Sequence, residues 1–231
     1  NRELDAFAYA ASHDLRAPLR GIANLAQWIE EDLTADGTLK SGTREMLELL
    51  RTRMNRMESL IEGILQYSRA GRTNERAEAV DTRALVCSVV ELLGLPDSFA
   101  VEIGDELPTI ESASLPLQQI FLNLIGNAVK YNRSPNPRVE VHARPAGPFV
   151  EFSVRDNGPG IPAEYQDRIW GIFQTLQARD QVEGTGIGLS LVRTLVDAQG
   201  GRAWVESAPG GGATFYFLWP LRPEIHADTE D

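Results

Sequence analysis

In Asn123-Leu124-Ile125-Gly126-Asn127-Ala128-Val129-Lys130-Tyr131, two asparagines stand one helical turn apart and share a face. Leu124, Ile125 and Ala128 turn toward a core. Two amide oxygens on one helical face can reach a hydrated Mg2+, a hard, oxygen-seeking ion, and Lys130 near the helix end can meet a phosphate. An ordinary polar helix face would show the same pattern. Ser114 is placed to cap this helix, which should run to about Lys130.

Outward from it, Arg138 to Ala143, Phe149 to Val154, Arg202 to Ser207 and Thr214 to Trp219 alternate as strands. Asp81 can cap a helix through Leu93, and Ile187 to Gln199 is helical, with Gly200-Gly201 ending it. Strands beside helices of this length predict an α+β domain with helices on one face of a mixed sheet.

Three glycine-bearing segments interrupt these elements. Asp156-Asn157-Gly158-Pro159-Gly160-Ile161 follows a strand directly. Its glycines allow positive φ and close backbone approach, and a carboxylate there can accept a purine amino group. A tight turn alone would also account for it. Gly184-Thr185-Gly186-Ile187-Gly188-Leu189 opens a helix, where backbone N–H groups attract phosphate oxygens. It is neither a Walker motif nor a dinucleotide fingerprint. Gly210-Gly211-Gly212-Ala213-Thr214-Phe215 is a turn into a strand.

The first seventy residues follow a different rule. Leu4, Ala8, Ala11, Leu15, Pro18, Ile22, Leu25 and Ile29 alternate steps of four and three. So do Leu47, Leu50, Met54, Met57, Ile61, Ile64 and Ser68. Such heptads mark helices packed at a shallow angle, with helix breakers supplied between them by Thr34 to Gly42. Two copies of this hairpin would bury both stripes as a four-helix bundle, so a homodimer is the economical arrangement; packing on the rest of its own chain is the other. The expected division is a hairpin domain at 1–72, a linker at 73–80, an α+β domain at 81–222 and an acidic tail at 223–231.

Within the first helix, His13 lies two residues past Ala11, so it should point away from the apolar stripe. Asp14 beside it can accept the Nδ1 proton and leave Nε2 free to attack, although an exposed His-Asp pair need do nothing. Pro18 removes a backbone bond and should bend the helix near this site.

Bulk properties exclude other classes. With 33 acidic against 22 basic residues and no long basic run, the chain lacks a nucleic-acid-binding surface. The single Cys87 rules out an internal disulfide framework and reads as a small buried hydrophobe. No window approaches the roughly 18 uninterrupted apolar residues of a membrane span, and no signal peptide opens the chain. A cytoplasmic location without membrane contact is expected, with any sensor domain upstream.

Taken in order, the His helix, Asn helix, Asp-Gly turn, Gly-rich helix start and Gly-Thr strand resemble the sensor histidine kinases from about Leu4 to Pro220. Phe7-Ala8-Tyr9-Ala10-Ala11-Ser12-His13-Asp14-Leu15-Arg16-Ala17-Pro18-Leu19-Arg20, with Ile172-Phe173-Gln174, looks like the phytochrome and PAS-linked members. The resemblance implies a dimerisation and histidine-phosphotransfer hairpin. An ATP-binding sandwich of the gyrase–Hsp90–histidine kinase–MutL type would follow it. It makes His13 the phospho-acceptor and Asp14 its base, with a response regulator receiver domain as the partner that takes the phosphoryl group. Asn127 with Asn123 would hold Mg2+ on ATP, Lys130 would lie near the phosphates and Tyr131 against the nucleotide. Asp156 would recognise the adenine amino group, with Gly158 and Gly160 permitting its approach. Phe173 would precede a lid at 176–183. Gly184, Gly186 and Gly188 would wrap the phosphates, together with Thr185, Ile187 and Leu189, and Thr214 would support the adenine end. Two departures are informative. ATP-hydrolysing relatives carry Glu where this chain has Asn123, and an amide is no general base at neutral pH. Many bifunctional kinases carry Thr or Asn where this chain has Ala17, whose methyl cannot hydrogen-bond water.

Overall fold

The computed structural model describes residues 2–69, 77–175 and 185–222, with side chains at 15–68 in the first span. Helix α1 (Arg2–Ala35) and helix α2 (Ser41–Arg69) form the hairpin. Gly37 at φ 64° makes the turn, and the N–H groups of Thr38 and Leu39 both donate to Leu33 O at 3.0 Å. Left-handed φ is what glycine tolerates and other residues resist. Helix α1 continues through Pro18.

The apolar stripes divide between two edges. Leu19, Ala26, Leu47, Met54, Ile61 and Leu65 are buried. Leu15, Ile22, Leu25 and Ile29 of α1 and Leu50, Met57 and Ile64 of α2 remain exposed. On α1 the contact with α2 is thus made one position past the predicted stripe, at Leu19 and Ala26. A heptad stripe serves two neighbours in a bundle; among the described residues α1 packs on α2, while α2 also touches α6. Arg16–Glu62 at 2.5 Å and Arg51–Glu30 at 2.7 Å flank the buried edge.

Strand β1 (Glu78–Asp81) opens the second domain, so the linker expected at 73–80 yields Glu78, Ala79 and Val80 to a strand. Asp81 caps helix α3 (Thr82–Leu93) by accepting from the Ala84 N–H at 3.0 Å, and Gly94 at φ 56° ends it. Cys87, on α3, is exposed rather than buried. Strands β2 (Ala100–Ile103) and β3 (Thr109–Ser112) follow, and β3 pairs antiparallel with β1, Val80 opposite Ile110.

Helix α4 (Ser114–Tyr131) has Ala113 at its N-cap and no side-chain capping bond, contrary to the expectation for Ser114. Pro116 occupies the third helical position, where a cap would otherwise find an N–H, so less is left to satisfy. Strands β4 (Arg138–Ala146) and β5 (Phe149–Asp156) come next, then the short helix α5 (Ala163–Gln166) and a 3-10 turn at Arg168–Trp170. Helix α6 (Gly188–Ala198) and strands β6 (Ala203–Ser207) and β7 (Ala213–Pro220) complete the domain. The main sheet has the order β2-β4-β5-β7-β6; β2 runs parallel to β4 and the other pairs are antiparallel.

Helices α4 and α6 cover one face of this sheet. Phe121 of α4 meets Phe152 and Phe217 edge-on at 5.5 Å, and those two rings stack at 5.0 Å. Leu117, Leu124, Leu191 and Val196 surround them, all buried. Trp219 Nε1 donates to Ser112 Oγ at 2.9 Å, tying the small sheet to the large one. The opposite face carries Glu140, His142, Arg144, Glu151 and Arg155, with Arg144 paired to Glu151 at 2.6 Å. Alternation of apolar residues with polar or charged ones along β4 and β5 is why the helices gather on one side.

Candidate functional site

A cleft of about 490 Å³ opens between α4, the turn after β5, the α5 region and the start of α6. Asn123, Asn127, Lys130 and Tyr131 line it from α4, and Asp156 and Gly160 from the turn. Thr185, Gly186, Gly188 and Leu189 line it from the glycine-rich segment. Residues spread over 67 positions, from Asn123 to Leu189, thus share one cavity because α4 and α6 pack side by side on the sheet.

At one end the donors are oxygen-rich. Asn123 Nδ2 donates to Gln119 O at 2.8 Å, which directs its carbonyl oxygen away from its own helix axis. A Cβ on Gly188 would meet that oxygen at 2.5 Å, so a side chain there would push the Asn123 amide aside. Asn127 follows one turn later, and the Lys130 ammonium lies 4.9 Å from the Tyr131 ring centroid. Amide oxygens of this kind suit a hard divalent cation, so Mg2+ fits the donor set. Burial pushes the Tyr131 hydroxyl above its ordinary pKa.

At the other end Asp156 closes β5, with Ala213, Phe215, Ile161 and Ile169 forming apolar walls. Half-burial raises the Asp156 pKa, against the opposing pull of the Gly158 and Ala213 N–H groups. The Gly158 N–H donates to Asp156 Oδ1 at 2.8 Å. Gly160 has φ 70°, and a Cβ there would collide with the Ala208 carbonyl. The backbone must be bare here for the turn to close.

Several anticipated residues sit elsewhere. Thr214 lies between Ala213 and Phe215, and strand alternation turns it to the other face of the sheet. Gly158 shapes the turn without lining the cleft. Ile187 is buried outside it, where a Cβ on Gly63 of the hairpin would meet Ile187 Cδ1 at 2.8 Å. Phe173 contributes backbone: its N–H donates to Gly186 O at 2.9 Å, its φ is 64°, and its side chain is exposed. Gly184 and the lid at 176–183 lie outside the described residues. So do the side chains of His13 and Asp14, which α1 carries at consecutive positions. The acidic tail at 223–231 is outside them as well.

Tyr165, Ile169 and Thr175 also line the cleft and were not singled out from the sequence; Gln174, quoted there only within Ile172-Phe173-Gln174, lines it too. Two of them come from helical pieces of four and three residues, too short to show a period. Phe215 stood in the Gly-Thr segment, and its alternation with Thr214 was the available signal.

Residues 3–73 match the His Kinase A (phospho-acceptor) domain, and residues 112–223 match the Histidine kinase-, DNA gyrase B-, and HSP90-like ATPase family. A phospho-acceptor hairpin joined to an ATPase-type sandwich is the class that this fold and cleft define. The chain belongs to the sensor histidine kinases, as a catalytic portion. It is 37% identical to cyanobacterial phytochrome A of Nostoc sp. (strain PCC 7120 / SAG 25.82 / UTEX 2576) across 96% of its own length and 29% of that protein's. The adaptive-response sensory kinase SasA of Synechococcus sp. (strain JA-3-3Ab) is 35% identical over 90% of this chain and 57% of that protein. Among solved structures, full-length ShkA in complex with AMPPNP superposes with a TM-score of 0.71 at 30% identity, over 94% of this chain and 46% of ShkA. The chain therefore spans less than a third of the phytochrome it matches. No helix among the described residues is long and apolar enough to cross a membrane.

Proposed function

We propose that the chain transfers the γ-phosphoryl group of ATP to His13 and then passes it to an aspartate of a response regulator receiver domain. The observation that carries this reading is that one cleft has amide oxygens and Lys130 at one end and a half-buried carboxylate at the other. That spacing of unlike chemistry suits a nucleotide, and the AMPPNP held by ShkA supports the same occupant here.

Asn127, with Asn123, would hold Mg2+, which would supply charge neutralisation to the phosphates. Lys130 adds a cation at the same end, and backbone N–H groups at the start of α6 face phosphate oxygens. Asp156 accepts the adenine amino group, while the Phe215 and Ile161 walls exclude water from the ring. Asp14 accepts the Nδ1 proton of His13, and Nε2 attacks the γ-phosphorus. The P–N bond forms as the bond to the ADP oxygen breaks, and ADP leaves. Positioning and charge neutralisation, not covalent chemistry by the ATP domain, carry the rate. Asn123 supplies no general base, so hydrolysis by water is slow.

The exposed edge of the hairpin is read as the seam of a homodimer, and a sensor domain upstream as the source of control. A cytoplasmic setting follows from the chemistry, since ATP and receiver domains are found there. Incubation with γ-32P-labelled ATP tests the reading through the fate of the label. Acid-labile, base-stable phosphate on the protein is expected. Free phosphate in its place would indicate an ATPase, and neither product would indicate a scaffold without turnover.

Ala17 bears on the reverse reaction. It is exposed on α1, four residues past His13, and its methyl group cannot orient a water for attack on a phosphorylated regulator. Incubated with its phosphorylated cognate regulator, the chain should leave the decay rate near the spontaneous value. Rapid dephosphorylation, with transfer back to His13 excluded, would contradict this. Ala17→Thr should raise the rate several-fold.

A further inference from the structure

Beside Asp156, and outside the cleft, Asn157 makes every hydrogen bond its amide allows. Its Oδ1 accepts from Asn132 Nδ2 and from the Arg138 N–H, each at 2.8 Å. Its Nδ2 donates to Asn136 O at 2.8 Å and to Ser134 Oγ at 3.4 Å. Turned over, the amide would set its oxygen against the Asn136 carbonyl and its NH2 against the Arg138 N–H, so its orientation is determined. Asn132 is buried, and its own Oδ1 accepts from the Ser134 N–H at 2.9 Å. The Asn157 backbone adds a 3.3 Å bond to Arg138 O.

The two asparagines join different ends of the cleft. Asn132 is the residue after Tyr131 and closes α4, the helix that bears Asn123, Asn127 and Lys130. Asn157 follows Asp156 directly. We propose that Asn157 is a positioning residue: through Asn132 it fixes the distance between the carboxylate at the base end and the helix at the phosphate end. This rests on the reading of the cleft as an ATP site and goes beyond it, because neither asparagine touches the cleft. A nucleotide binds both ends at once, and its affinity exceeds that of either fragment only when the ends stand at the span of the ligand.

Asn157→Asp tests this at constant size. The two acceptor bonds survive, while the 2.8 Å bond to Asn136 O becomes a contact between a carboxylate and a carbonyl oxygen; the Ser134 hydroxyl can rotate to donate. Binding is measured for ATP, adenosine and tripolyphosphate, each with Mg2+, alongside the KM for ATP in His13 labelling. ATP affinity should fall about tenfold, with adenosine and tripolyphosphate each changed by less than about twofold. The KM should rise by the same factor as the ATP dissociation constant, and saturating ATP should restore the labelling rate. Should Asn157→Asp fail to fold, Asn132→Ala removes the link from the other side and should give the same pattern at about three- to fivefold. Unchanged ATP affinity, or fragments weakened as much as ATP, would overturn the clamp while leaving the site intact. A parent chain that binds no ATP would overturn the site and the clamp together.

Discussion

A His13→Gln chain should acquire no acid-labile phosphate while binding ATP as tightly as the parent, and an Asp156→Asn chain should lose binding first. In the first variant the nucleophile is gone, glutamine does not attack phosphorus at neutral pH, and the residues that line the cleft are unchanged. Labelling should fall to background, with a nucleotide dissociation constant within twofold of the parent. In the second, one accepting oxygen replaces two. The remaining oxygen is uncharged, and the NH2 that takes the place of the other oxygen meets either the Gly158 N–H or the adenine amino group donor to donor. Losing a hydrogen bond to a charged group costs about 1.5–3 kcal/mol, so ATP should bind roughly ten- to a hundredfold more weakly. Titration calorimetry and filter-bound label together separate the two failures.

Asp156 also sets a pH dependence whose sign can be worked out. Burial raises its folded pKa above the ordinary carboxylate value. The free protein therefore draws stability from Asp156 that is full below the ordinary value and lost as pH rises through the raised one. Nucleotide affinity runs the other way, because only the ionised carboxylate accepts freely. Acidification through the raised pKa should weaken ATP binding in the parent chain, at a pH where an exposed carboxylate would still be ionised. In Asp156→Asn this part of the profile should vanish. Tyr131, pushed upward from an already high value, stays neutral throughout that range.

What could be read in advance follows the length over which a pattern repeats. The hairpin helices run 34 and 29 residues, long enough for heptads to declare themselves. Strands β4, β5, β6 and β7 alternate in full, and each was anticipated to within three residues at either end. Strands β1, β2 and β3 have four residues each, too few for period two to emerge from composition, and β1 passed for linker. In the cleft, the polar residues and glycines stood out because their side chains or bare backbones are costly without a purpose. Tyr165 and Ile169 are apolar residues on short pieces, and only packing shows that they face inward. Thr214 lies outside the lining for a different reason: strand parity assigns it to the face away from its neighbours Ala213 and Phe215.

Parity of another kind governs the hairpin, and it leads to the second large effect. Leu25 is 55% exposed and Ile29 49%, while Ala26, between them, is 2% exposed against α2. Glutamate at Leu25 and Ile29 therefore meets water in a single chain, and as a good helix former it leaves α1 intact. In a symmetric bundle the same substitutions bring four carboxylates to an apolar seam opposite Leu50, Met57 and their copies. Each buried charge without a partner costs several kcal/mol, and 1.4 kcal/mol is a tenfold change in dissociation constant. The double variant Leu25→Glu/Ile29→Glu should dissociate by a thousandfold or more in concentration. Its light-scattering mass should fall from twice the 25.5 kDa chain mass to once that value. Helix content and ATP affinity should hold, since the cleft lies in the other domain. Ala26→Glu should behave differently and lose helical signal, because that position is closed by the chain's own α2. A Leu25→Glu/Ile29→Glu chain that stays dimeric at micromolar concentration would place the interface somewhere other than this edge.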